Sequence, residues 1–267
     1  MQDRFFTRDG VRLRYRDEGQ GPAVMWLHGW TLDLQMWDLQ TRALSNQFRL
    51  IRLDRRGFGL SSGRPSVEQD VEDLTALCGL LGLERMAFVG MSQGARAAVA
   101  FAQVRPTAVS CLVLDGPPDF DLSGGSELPL AHYRELVRSQ GMEAFRQEWR
   151  RHPLARLQTD NHEVRDLLAA TIARYRGLDL LEPPSAAAAV PAAAGIDSLQ
   201  VPVLILQGDH ESPGRAAAAM ALAARLPDAR RVVIDNAGHM PNLDNPDSYN
   251  AQVRAFLARH AGGALTG

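Results

Sequence analysis

The chain has 267 residues, of which 45% are hydrophobic and 22% charged, with a formal net charge of −2. These are the proportions of an ordinary soluble globular protein built around one core, and they exclude the basic field that nucleic acid or an anionic membrane surface requires. All 29 basic side chains other than histidine are arginine, so neither a P-loop nor a Schiff-base mechanism is available, because both need a lysine amine.

Residues 1–7 lack the apolar run of a signal peptide, and no stretch approaches the roughly 20 apolar residues of a membrane span. Cys78 and Cys111 stand alone. This argues against a disulfide framework or zinc knuckle and leads us to expect a reducing cytoplasm. Arginine-only, alanine-rich usage points to a GC-rich bacterial genome.

In chain order, residues 4–7 and 12–16 flank an Arg-Asp-Gly turn and predict a β-hairpin. Short apolar runs follow at 23–27, 50–53, 86–89, 111–114, 203–206 and 232–234. Their lack of alternation suits parallel strands buried on both faces. Helical patterns lie between them at 34–44, 66–81, 93–103, 215–224 and 246–259, with Ser66 and Gln69 forming a capping box at the start of the second. Strand and helix in alternation predict a doubly wound parallel sheet, the α/β class.

The alternation breaks between 115 and 201. Helical segments are expected there near 131–139, 142–151 and 162–175, with Met142, Phe145 and Trp149 on one face. The alanine-rich stretch 186–194, interrupted by Pro191, reads as a short broken helix. We therefore expect residues 118–198 to form a helical cap inserted into a core made of 1–117 and 199–267, with a frayed tail at 262–267.

The chemistry centres on Gly90-Met91-Ser92-Gln93-Gly94, which directly follows one apolar run and precedes a helical pattern. In that context G-x-S-x-G is a sharp strand-to-helix turn that exposes a serine hydroxyl, with the helix N-terminus beneath it favouring developing negative charge. Ser92 is the expected nucleophile. The backbone amides of Gln93, just after it, and of Trp30, in the loop after 23–27, are the expected oxyanion donors. His28 lies in the wrong place for a base and is expected to steady its loop. His239, in Asn236-Ala237-Gly238-His239 after the last strand, is expected to be the base, since neutral imidazole can take and return a proton near pH 7. His132, His152, His162 and His260 lack such context and are expected to be solvated. The acid belongs after 203–206, where Asp209 and Glu211 compete. Adjacent side chains leaving a strand diverge, so Asp209-His210-Glu211 does not read as a metal site. No metal and no cofactor are expected.

Together these residues resemble the α/β-hydrolase superfamily over essentially the whole chain. The order Ser92, acid, His239 is that superfamily's order. The resemblance implies an α/β-hydrolase fold: a mostly parallel, doubly wound sheet with an inserted helical cap. The segments His28-Gly29-Trp30-Thr31-Leu32-Asp33, Met36-Trp37 and Asp54-Arg55-Arg56-Gly57-Phe58-Gly59 are similar to bacterial arylesterases and cofactor-free haloperoxidases or perhydrolases. The chain also resembles enol-lactonases and carbon–carbon bond hydrolases of aromatic degradation. It departs from the arylesterases at Gln93 and Ala95, where they commonly carry methionine and glycine. The bend from Arg55 to Ser61 reads as a structural turn.

The resemblance implies a catalytic triad in a serine esterase acting on a small carboxylic ester or lactone, with peracid formation as a side activity. Carbon–carbon bond hydrolysis and a small-molecule receptor role are the alternatives. Relatives commonly place the acid three residues after the glycine that ends the strand. This favours Glu211 over Asp209, while Asp115 is the fold's other known acid position. Trp30, Phe145 and Trp149, with Leu168, are expected to line the substrate pocket, and Arg146, Arg150 and Arg151 to face water, with the holding of a substrate carboxylate as the alternative role for these arginines. The expected partner is the small-molecule substrate alone, with no nucleic acid and no membrane; the oligomeric state is left open.

Overall fold

The computed structural model describes residues 2–120, 128–181 and 196–262. At its start, β1 (Arg4–Arg8) and β2 (Val11–Glu18) form an antiparallel hairpin. Asp9 and Gly10 turn between them, both at positive φ (49° and 76°), as a two-residue hairpin turn demands. The chain then runs through β3 (Ala23–Leu27), a 3₁₀ turn at Leu34–Trp37, α1 (Asp38–Leu44), β4 (Arg49–Leu53), α2 (Val67–Leu81), β5 (Met86–Met91), α3 (Gln93–Val104) and β6 (Val109–Asp115). After β6 come α4 (Leu130–Trp149), α5 (His162–Arg174) and α6 (Leu178–Leu181), and among the described residues there is no strand before β7 (Val203–Gly208). The chain closes with α7 (Pro213–Arg225), β8 (Ala229–Ile234), α8 (Pro241–Asp244) and α9 (Pro246–His260).

The eight strands form one sheet in the order β1-β2-β4-β3-β5-β6-β7-β8. It is parallel from β4 to β8, and β2 pairs antiparallel with both β1 and β4. Alternate residues of the central strands feed two cores. Val24, Trp26, Val89, Val113 and Leu204 pack on one face with α1 and α9, through Leu44, Tyr249 and Val253. Met25, Leu27, Phe88, Leu112 and Ile205 pack on the other with α2, α3 and α7, through Leu74, Phe101 and Leu222. This burial on both sides explains why the strands read as unbroken apolar runs. Tyr133, Phe145, Trp149, Leu168 and Ile172, from α4 and α5, belong to the first core.

Several boundaries differ from the sequence reading. The segment 34–44 is a 3₁₀ turn followed by a helix, because Asp33 caps the amide of Gln35 and sets a tighter first turn. The two expected helices 131–139 and 142–151 are both present within α4, separated at Gly141 (φ 84°, ψ 174°), a conformation open to glycine. Ser212 caps α7 through the Arg215 amide, so that helix begins at Pro213. Ser66 caps α2 by accepting from the Gln69 amide. The broken helix expected at 186–194 lies outside the described residues. Among the described residues no helix is long and apolar enough to cross a membrane.

In a doubly wound sheet, ligands bind at the carboxyl ends of the strands. Here those ends deliver His28, Asp54, Ser92, Gly116, Asp209 and Asn236 to one edge.

Candidate active site

Between β5, ending at Met91, and α3, starting at Gln93, one residue makes the whole turn. That residue is Ser92, at φ 51° and ψ −110°. Such a conformation costs a non-glycine residue about 1–3 kcal/mol and persists only where the surroundings dictate it. The Ser92 amide donates to the Asp115 carbonyl at 2.8 Å, and its carbonyl accepts from the Ala95 amide at 3.0 Å. The flanking glycines are required by close packing. A Cβ at Gly94 would lie 2.2 Å from the Leu27 carbonyl oxygen, and one at Gly90 would lie 2.5 Å from that of Gly94. Backbone atoms cannot give way as side-chain tips can. Gln93, first in α3, has an amide with no acceptor within its own helix.

His239 follows β8 on a loop, and its Nδ1 lies 2.6 Å from Oε2 of Glu211. Both side chains are buried. An ionised carboxylate only accepts, so Nδ1 carries the proton and Nε2 is left as the basic nitrogen. Burial by itself would raise the Glu211 carboxyl. The charge and hydrogen bond of His239, the Ser212 amide and the Arg215 charge outweigh it, holding Glu211 below the ordinary glutamate value. Glu211 is therefore the ionised partner of this contact.

The other two acids stand elsewhere. Asp209 turns to the neighbouring loop, where Oδ1 accepts from the Ala237 amide at 2.9 Å, a bond that holds its carboxyl low. Asp115 is fully buried beside the Tyr249 hydroxyl. Burial, with the Glu211 charge adding to it, pushes Asp115 well above the usual carboxylate range, so it stays neutral. A raised folded-state value means that the folded form holds a proton the unfolded chain releases. Asp115 therefore favours folding below the ordinary aspartate value, and that contribution is lost as pH rises above it. Asp115→Asn removes the loss. The stability of the variant relative to the parent, from urea unfolding, is expected to improve steadily between pH 4 and pH 8. A difference that does not change with pH would show Asp115 to be ionised in the fold.

His28 is fully buried and neutral. Its Nε2 accepts from the Arg55 amide at 3.0 Å, so Nδ1 donates to the Gly29 carbonyl at 2.7 Å. Burial first, then the Arg55 charge, holds this imidazole well below its usual value. It fixes the turn of the loop that carries Trp30. His152, expected to be solvated, instead stacks on Trp149 at 4.8 Å and accepts from the Leu154 amide.

Ser92 and His239 line one cavity, together with Trp30, Trp149, Leu168 and Ile172. Phe145, also expected in the lining, packs one layer behind, with its ring 5.8 Å from that of Trp30 and 6.2 Å from that of Trp149. The helices after β6 are tied to the Trp30 loop at three points. Trp30 Nε1 donates to Asp179 at 2.6 Å, Trp149 Nε1 donates to Thr31 at 2.8 Å, and Arg174 Nε donates to Asp33 at 2.7 Å. Among the described residues no group of histidine, cysteine, aspartate and glutamate could hold a metal ion.

The family model described as "Alpha/beta hydrolase family" matches residues 24–252. The chain belongs to the alpha/beta hydrolase family. It is 28% identical over 264 residues to a putative 2-succinyl-6-hydroxy-2,4-cyclohexadiene-1-carboxylate synthase of Bacillus subtilis, covering 93% of this chain and 96% of the relative. Among solved structures, a thermophilic esterase from Thermogutta terrifontis, with malate bound, superposes with a TM-score of 0.80 at 27% identity over 97% of this chain and 99% of that one. The enol-lactonase of Burkholderia xenovorans LB400 does so with a TM-score of 0.82 at 25% identity, over 96% and 100% of the two chains.

In this hydrolase, two arginines near Ser92 had no signature in the sequence. Arg215, in the first turn of α7, reaches back so that Nη1 lies 3.4 Å from Ser92 Oγ and 3.1 Å from the Gly116 carbonyl. An arginine opening a surface helix carries no mark of this, since only the path of the loop before it aims it inward. Arg55 joins Asp70 at 3.0 Å to the side-chain carbonyl of Gln93. The bend that read as a structural turn thus also holds the residue after Ser92. The bend is fixed by Asp54, which accepts from the Leu34 and Leu60 amides at 2.8 and 2.7 Å and is ion-paired with Arg14 at 2.7 Å.

Proposed function

We propose that this hydrolase cleaves a small carboxylic ester or lactone through an acyl-Ser92 intermediate, with His239 as base and Glu211 as its supporting acid. The observation that carries the reading is one cavity holding both the strained Ser92 turn and His239, whose Nδ1 is engaged by Glu211 at 2.6 Å. The esterase and enol-lactonase among its structural relatives support the substrate class.

Arg215 helps to aim the serine proton. A guanidinium can only donate, so Ser92 Oγ accepts from it and its own O–H must seek an acceptor, which Nε2 of His239 supplies. The Ser92 proton passes to Nε2 as Oγ bonds the acyl carbon, and the carbonyl oxygen becomes an oxyanion received by the Gln93 and Trp30 amides. His239 returns the proton to the leaving alcohol as the bond to the acyl carbon breaks. Water then gives a proton to Nε2 while its oxygen attacks the acyl carbon, and Ser92 leaves with that proton restored. In this reading the helices after β6, within residues 118–198, act as a cap over the core formed by 1–117 and 199–267, and their wall decides which substrates enter.

A fluorophosphonate probe, which phosphonylates an activated serine, is expected to label Ser92 alone, as read by peptide mass mapping. A chromogenic aryl ester is expected to give a burst of one product equivalent per active site, followed by turnover. Label on another serine, or no turnover of any aryl ester or lactone, would sink the reading; a ligand receptor would bind without turning over.

A further inference from the structure

We infer that the ester this hydrolase prefers carries a carboxylate at the far end of its alcohol portion, recognised by an arginine-lined groove next to the Ser92 cavity. The inference rests on the hydrolase reading and extends it to substrate class.

Size is the first observation. The Ser92 cavity offers about 20 Å³, room for about one water, whereas small-molecule sites usually span about 300–1,000 Å³. Most of a substrate must therefore extend beyond it. Next to it lies a groove of about 340 Å³, and Ala155, Leu168 and Ile172 line both spaces. Those three apolar side chains form the wall that the two spaces share, and in the inferred complex the substrate chain lies along it.

Charge is the second. Arg150, Arg156 and Arg165 line the groove, and among the described residues its lining holds no acidic side chain. Arg165 is held by the Thr159 carbonyl and Asp160. The side chains of Arg150 and Arg156 have no hydrogen-bond or ion-pair partner among the described residues. Arg146 turns away to the Tyr175 carbonyl. Apolar walls with unpartnered guanidinium groups suit an apolar spacer ending in a carboxylate, which arginine binds through two parallel N–H donors.

The loop to which the groove is tied identifies the end of the substrate. Asp244 accepts from the Gln158 and Thr159 amides and from the Gly238 amide, tying the segment that carries Ala155, Arg156 and Leu157 to the His239 loop. One wall of the groove is thus anchored to the loop that bears the imidazole, and the imidazole stands on the leaving-group side because it must protonate the departing alcohol oxygen.

The test uses acetate esters of ω-hydroxy acids with three to eight carbons, each paired with the acetate of the neutral alcohol of equal length. Rates are followed by acetate release. The ratio of kcat/KM, charged over neutral, is expected to be near one for short chains. It should rise to about fivefold to tenfold once the carboxylate reaches the arginines, as two partly exposed ion pairs allow. The Arg150→Gln/Arg156→Gln double variant is expected to bring the ratio back to about one, and Arg138→Gln, on the outer face of α4, to leave it high. A ratio at or below one at every length, or one the double variant leaves unchanged, would overturn the inference while turnover of the neutral acetates upholds the hydrolase reading. A preference confined to monoesters of dicarboxylic acids, with the charge on the acyl side, would also overturn it. Failure to turn over any of these or any aryl ester overturns both.

Discussion

Ser92→Ala is expected to fold as the parent does and to lose turnover by a factor on the order of 10⁴–10⁶, as happens when a triad nucleophile is removed. The reason is local. Oγ is held at the cavity by a turn at φ 51°, and the other hydroxyl residue among the described lining, Thr31, is engaged by Trp149 Nε1. Ala95, Gly94 and Met91 surround Ser92, and Gln93 is tied up with Arg55. Alanine occupies the same strained conformation, so unfolding by urea should barely change. Ser92→Gly relieves the strain and is expected to be more stable than the parent by about 1 kcal/mol while being equally inactive. Inactivity with raised stability would mark the turn as one held for chemistry. Wild-type turnover in Ser92→Ala would require another nucleophile.

The second large effect is expected at Glu211. Glu211→Gln keeps the shape of the side chain but removes the charge that the 2.6 Å contact sets against Nδ1. The amide can present either a donor or an acceptor to the ring, so the tautomer is no longer enforced, and the imidazolium formed during proton transfer loses its partner. A loss of kcat on the order of 10⁴ is expected, as for the equivalent change in a serine protease triad. The comparison with Asp209→Asn makes the result decisive. Asparagine can still accept from the Ala237 amide through its own carbonyl oxygen, and the side chain is partly exposed, so its kcat should stay within a few-fold. If Asp209→Asn proved the crippling change and Glu211→Gln stayed active, the acid would be Asp209. The pH profile adds a further readout. With Glu211 held below the ordinary glutamate value, its own protonation should not set the acid limb of kcat/KM in the parent.

The strongly local features were legible in the chain. The unbroken apolar runs follow from burial on both faces of a parallel sheet, and the gap in their alternation after β6 matches the described helices α4 to α6. The Ser92 turn was readable because two glycines flank it at positions where any side chain would strike backbone. The loop bearing His239 was readable from its position after the final strand. What stayed open was set by groups far apart in sequence. The residues themselves offered Asp209 and Glu211 equally, and preference for the second came from resemblance to a superfamily. The contact that separates them spans 28 positions and depends on how the loop after β7 leaves the sheet. Arg215 reaches Ser92 across 123 positions, and Trp30 meets Asp179 across 149. Phe145 shares a helical stripe with Trp149, yet it packs behind the cavity that Trp149 lines, because Trp30 stands between that ring and the opening. Patterns of burial and backbone clash act over a few residues and are written in composition and spacing. The direction of a side chain at a strand end, and the space left between a core and the helices laid over it, are decided only when the distant segments pack.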